Sequence, residues 1–132
     1  MNKVVARYAD GRVLKGTTAD FFQTKDQFHL KALTAPAGAK PLEIHTKELK
    51  ALFFVKTYEG TPERVKPKSY DPAHLPAGRP IEVKFKDGES LVGTTTGYQP
   101  GRPGFFLVPA DPESNTERCF VVAAATRQIS FL

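Results

Sequence analysis

The residues of this chain able to ligate a metal or move a proton are three histidines, one cysteine and fourteen carboxylates in 132 positions. His29 and His45 fall on adjoining strands of an expected hairpin and could offer two imidazoles to a metal. Zinc sites take three or four ligands, no further His or Cys is placed to help, and Glu43 is expected opposite Lys31. No metal site is therefore expected. Asp10 and Asp87 resemble a carboxylate pair, but each precedes a glycine, where Asp is favoured for bonding its own turn. Cys119, the single cysteine, allows no disulfide within the chain. It aligns with Leu42 at an inward position, as a small core residue would. There is no serine with a supporting His and Asp, no Gly-rich phosphate loop and no metal-binding helix motif. The sequence points away from catalysis and calls for no cofactor.

Binding has more support. Gly97-Tyr98-Gln99-Pro100-Gly101-Arg102-Pro103-Gly104 is a shaped loop. Its Tyr98 and Arg102 belong to the residue types enriched in binding hot spots and suited to stacking on a base or small ligand. The plainer alternative is a turn with Tyr98 in the core, as Phe21 would be. The net charge is +5 and is uneven. Residues 1–56 hold ten Lys/Arg against five Asp/Glu, and residues 80–132 hold five against six. Lys15, Lys25, Lys31 and Lys47 are therefore candidate contacts for a polyanion such as single-stranded RNA, with ordinary solvated lysine as the alternative.

The elements that position these residues occur twice. Val4–Val55 overlies Ile81–Leu132 without a gap, at the separation of 77 that relates Asp10 to Asp87. Asp10-Gly11 matches Asp87-Gly88, Gly16-Thr17-Thr18 matches Gly93-Thr94-Thr95, and Phe28 and Leu30 match Phe105 and Leu107. Such self-similarity marks two copies of one folding unit. Ile81, Val83 and Phe85 alternate with Glu82, Lys84 and Lys86, the period of a strand with one buried face. Gly16 and Gly93 lie inside a second strand, where glycine marks a bend or a close backbone approach. Strands are expected near 3–9, 12–20, 27–33, 41–45 and 51–56, and at matching places in the second copy. One helical turn, at Lys47–Lys50 and at Ala124–Arg127, precedes each fifth strand.

This reading predicts an all-β chain of two tandem five-stranded small barrels: a basic first barrel over 1–56 and a second over 80–132. A connector over 57–79 carries Pro62, Pro67, Pro72 and Pro76, which disfavour a central strand. Asp71–Leu75 could form a capped helical turn.

The copies differ in the hairpin of their third and fourth strands. A register placing Leu30 opposite Ile44 sets His29 against His45 and Lys31 against Glu43 on the outer face. The same register in copy two sets Phe106 against Val122 and Val108 against Phe120. An apolar outer face must be covered. Phe106, Val108, Phe120 and Val122 are thus an expected interaction surface for a protein partner or a second copy, unless the first barrel or the connector covers them.

Asp10–Gly16 and Asp87–Gly93 resemble the first hairpin of SH3-like and Sm-like small barrels, and Arg102–Asp111 is similar to a recurrent bacterial domain of uncharacterised function. Sm-like resemblance implies rings and single-stranded RNA binding. However, no Asp and Asn follow Gly16 at the expected spacing, and Lys50-Ala51 and Arg127-Gln128 stand where a basic residue followed by glycine would be. The expectation is a non-catalytic, protein-binding interaction module, with nucleic-acid binding as the alternative and a small-molecule sensor behind both. Met1-Asn2-Lys3-Val4 lacks a secretory pattern and no apolar run reaches the roughly 20 residues of a membrane span, so a bacterial cytoplasmic setting without a membrane partner is expected.

Overall fold

The computed structural model describes residues 1–58, 77–111 and 114–132. The connector's expected helical turn at 71–75 lies outside the described residues. In chain order the strands are β1 (Asn2–Tyr8), β2 (Val13–Thr18), β3 (Gln27–Ala32), β4 (Leu42–His45), β5 (Leu49–Val55), β6 (Arg79–Phe85), β7 (Ser90–Thr95), β8 (Gly104–Pro109), β9 (Thr116–Val122) and β10 (Thr126–Phe131). Helix among the described residues amounts to two three-residue 3₁₀ turns, η1 (Thr46–Glu48) and η2 (Ala123–Ala125). Each stands one residue before its expected place. None of these elements is a helix able to cross a membrane.

The alternation read from Ile81, Val83 and Phe85 becomes β6, and those three side chains are buried. Asp10-Gly11 and Asp87-Gly88 turn the chain between paired strands, with positive φ at Gly11 and Gly88. All ten strands join one open antiparallel sheet in the order β10-β6-β7-β8-β9-β5-β1-β2-β3-β4. The pairings repeat at the separation of 77. Ala6↔Leu14 recurs as Val83↔Leu91, and Val5↔Phe53 as Glu82↔Ser130. Even the irregularity beside Tyr8↔Leu49 returns beside Phe85↔Thr126.

Two expectations need correction. The sheet does not close into two barrels: β4 and β10 are its outermost strands, and β5 pairs with β9 across the halves. The β3–β4 register is also displaced by two residues. Phe28, not Leu30, lies opposite Ile44, and His29 faces Glu43. Likewise Phe106 faces Phe120, and Leu107 faces Cys119. A slip of two keeps every side chain on its face, so alternation alone could not distinguish the registers. The observed one is continued by the Thr46 amide, which donates to the Asp26 carbonyl (2.9 Å), and by its counterpart from Ala123 to Pro103 (2.8 Å).

The single sheet has two interiors. One gathers Val4, Phe28, Leu30, Ile44, Leu52 and Phe54 with Phe120 and Val122. The other gathers Ile81, Val83, Phe85, Phe105 and Leu107 with Ala51, Phe53 and Val55. All seven residues of β5 are buried. Its alternate side chains enter opposite cores, and β9 does the same through Phe120 and Val122 against Cys119 and Val121.

Within each half, the second and third strands come together over a glycine. A Cβ on Gly16 would collide with the Lys31 carbonyl oxygen, and one on Gly93 with that of Val108. Beyond this approach the Thr18 hydroxyl donates to the His29 carbonyl (2.8 Å) and that of Thr95 to the Phe106 carbonyl (2.7 Å). Gly93→Ala should therefore lower stability by about 1–3 kcal/mol, the usual cost of overpacking. Urea denaturation checks this, and an unchanged midpoint would show that the strands can part freely.

Candidate functional site

The junction of β5 with β9 holds most of the structure's unusual side-chain arrangements. Leu52 faces Phe120 and Phe54 faces Arg118. The Phe21 ring, from the β2–β3 loop, stands edge-on to Phe120 (centroids 5.1 Å) and to Phe106 (6.1 Å). Phe106 in turn meets Phe120 at 5.3 Å. Tilted and edge-on pairs of this kind add roughly 0.5–1.5 kcal/mol each beyond burial. Arg118 lays its guanidinium over Phe54 (4.3 Å) and Phe106 (4.7 Å). At one end the Asn115 side chain accepts the Thr57 amide (3.0 Å) and donates to the Thr57 carbonyl (2.8 Å).

The apolar hairpin face read from the sequence is thus covered from within the chain. Phe120 and Val122 are buried in the first half's core, Phe106 packs on that core, and only Val108 stays exposed. Within the chain, the first half covers most of this face. Sequence reasoning missed the other side of the junction. Its signal was the unbroken apolar run Ala51-Leu52-Phe53-Phe54-Val55, against Gln128-Ile129-Ser130-Phe131-Leu132 in the second copy. A strand buried on both faces has no reason to alternate.

β10 stands where β5 does at the separation of 77, and among the described residues no strand pairs with its outer edge. Its counterparts of Leu52, Phe54 and Phe21 are Ile129, Phe131 and Tyr98. Tyr98 packs half-buried against Phe105 (5.0 Å) and Phe131 (5.4 Å). Phe131 is 38% exposed where Phe54 is 5%, and the Arg79 guanidinium covers its ring at 3.8 Å. The Leu132 amide donates inward to the Pro80 carbonyl (3.1 Å). In an antiparallel ladder the direction alternates, so the amides and carbonyls of Ile129 and Phe131 point to the open side.

The opposite edge, β4, is polar. His29, Glu43 and His45 occupy the places of Phe106, Phe120 and Val122. His29 and His45 do not pair. The His29 ring meets Asp20 at 2.7 Å through Nδ1, and His45 meets Glu43 at 3.1 Å. Asp20 also accepts the His29 amide (2.9 Å). That amide, then the ring, hold its pKa below the usual carboxylate value against the opposing effect of burial, with a lesser contribution from the Thr18 hydroxyl. Among the described residues no three of His, Cys, Asp and Glu gather as metal ligands.

The other candidates are spread over the molecule. Arg102 donates through Nε to Gln99 Oε1 (2.8 Å) and so closes its own loop, while Tyr98 faces the core. Lys15 stands on β2 and donates to the Tyr58 carbonyl (3.1 Å), and Lys25 lies over the Phe22 ring (5.0 Å). Lys31 is on β3 and Lys47 in η1, both exposed. Asp10 and Asp87 each accept the amide two residues on, from Arg12 (3.0 Å) and Glu89 (2.9 Å). Cys119 is fully buried in the second core.

A model of a family of unknown function, DUF6982, matches residues 1–132. The chain belongs to that family. No curated protein and no solved structure matches it.

One charged group is buried at the junction. Lys50 of β5, 6% exposed, donates to Asp87 Oδ2 (2.7 Å) and Glu89 Oε1 (3.1 Å) of the other half and lies over the Phe85 ring (4.7 Å). The Lys50 hydrogen bond, then the Glu89 amide, hold Asp87 below the usual carboxylate range. A lowered folded-state pKa contributes stability above the unfolded value of about 4 and loses it as pH falls through the folded value. Asp87→Asn should therefore be less stable than the parent at pH 7, with the gap closing as pH falls below about 4. Urea midpoints against pH test this, and a gap independent of pH would contradict the pairing.

Proposed function

We propose that this DUF6982 chain is a non-catalytic interaction module that binds protein by adding an extended segment to the β10 edge. On this reading the chain is a tandem of two five-stranded SH3/Sm-like units that share a strand junction instead of closing separately. The observation that carries the reading is the open β10 edge beside half-covered Ile129, Phe131 and Tyr98. An unpaired edge offers backbone donors and acceptors for affinity, and alternate side chains for specificity. Edges without such a role are normally blunted by shortness, charge or proline. β4 is blunted in this way, being four residues long, preceded by Pro41 and carrying Glu43, whereas β10 is six residues long and carries Ile129 and Phe131.

Nucleic-acid binding has less support. Its candidate lysines stand on separate elements, and two of them are already engaged within the chain. A small-molecule site at Tyr98 and Arg102 is weakened by the inward packing of Tyr98.

Panning a random peptide library against the immobilised protein tests the proposal. Enriched peptides should bind the parent, lose binding to Phe131→Ser, and slow hydrogen exchange at the Ile129 and Phe131 amides. Binders indifferent to Phe131→Ser, or no binders, would overturn it.

A further inference from the structure

The β5–β9 junction shows what a strand docked on β10 should look like, because β10 keeps one side of that junction and β4 has lost the other. On the accepting side, Leu52, Phe54 and Phe21 are matched by Ile129, Phe131 and Tyr98, a replacement in kind at every position. On the inserting side, Phe106, Phe120, Val122 and Arg118 are matched by His29, Glu43, His45 and Pro41. Continuing the observed register into a second molecule would set Ile129 against Glu43 and Phe131 against Pro41, which has no amide to donate. Asp10 would stand where Asp87 receives Lys50 and Arg12 where Glu89 does, so that Arg127, in place of Lys50, would face one carboxylate and one guanidinium instead of two carboxylates. A heterologous contact between copies builds a ring or a filament, and the polar, shorter β4 offers poor complementarity for either. The acceptor is retained and the chain's own complementary strand is not.

We infer that β10 accepts an antiparallel extended segment of a different protein, one that reads basic residue, any residue, aromatic, any residue, β-branched residue, as Arg118, Phe120 and Val122 do on β5. The aromatic side chain sits against Ile129 and Tyr98, as Phe120 sits against Leu52 and Phe21. The basic residue stacks on Phe131 as Arg118 stacks on Phe54, displacing Arg79 from that ring. A second copy of this chain is not the occupant. This inference rests on the strand-addition reading above and adds the chemistry of the partner.

The probe is a fluorescein-labelled peptide with the sequence of residues 114–122, titrated into the full chain under reducing conditions and followed by anisotropy. A peptide with the sequence of residues 37–45, which spans β4, is titrated in parallel. The 114–122 peptide should bind saturably. Phe131→Ser in the protein, or Phe120→Ser in the peptide, should each weaken it by about tenfold, the loss of a hot-spot contact. The effect of Phe131→Ser places binding on β10 instead of exchange into the β5 junction, and the peptide variant gives the same reading without touching the protein's fold. The 37–45 peptide should not bind, and light scattering should give the mass of a single chain. Equal binding of both peptides would overturn the stated chemistry while leaving strand addition intact. So would failure of the 114–122 peptide when library-derived peptides bind at Phe131. Failure of every peptide would remove both readings. A mass of two or more chains, reduced by Phe131→Ser, would make a second copy the occupant and overturn the inference.

Discussion

Backbone pairing between β5 and β9 organises the whole sheet. It joins two sheets into one and obliges both strands to be apolar on both faces. It also gives each core side chains that come from the other half. A half of roughly 55 residues is near the lower limit for a self-sufficient core. Here Phe120 and Val122 complete the first core, while Phe53 and Val55 complete the second. The buried ammonium of Lys50, bonded to carboxylates of the opposite half, fixes the same junction electrostatically.

The two halves share their strand pairings but differ in the faces that could meet. Strand registers, turn glycines and the threonine hydroxyl locks are shared between the halves. The faces that meet at the junction are not. Phe106, Phe120 and Val122 in one half are His29, Glu43 and His45 in the other, and that exchange puts charged and polar side chains on β4 where β9 carries apolar ones. The functional proposal rests on this asymmetry between the halves.

Much of this was legible in the residues. Alternation at Ile81–Phe85, the Asp-Gly turns and the in-strand glycines identified strands and turns that the structure contains. The breach of alternation at Phe106–Val122 identified a covered face. Two things were not legible, for physical reasons. A two-residue slip of the β3–β4 hairpin leaves every side chain on its face, so pattern could not choose between His29 opposite His45 and His29 opposite Glu43. Closure of a sheet depends on which edges meet, and the apolar character of Ala51–Val55 suits a closed barrel and a shared junction equally. Only in combination with Phe106–Val122 does that run identify a partner strand. The Tyr98/Arg102 segment left two readings open, and Tyr98 packs against the core as the plainer one has it.

Neither half is expected to hold together without the other. Native-state hydrogen exchange across increasing denaturant tests it most directly. The amides of Leu52, Phe54 and Phe120 at the junction should exchange at the free energy of global unfolding. So should the most protected amides of the β1–β2 ladder and those of the β6–β7 ladder. If either ladder opened at a distinctly lower free energy while the other stayed protected, the halves would be independent units and the account would be wrong.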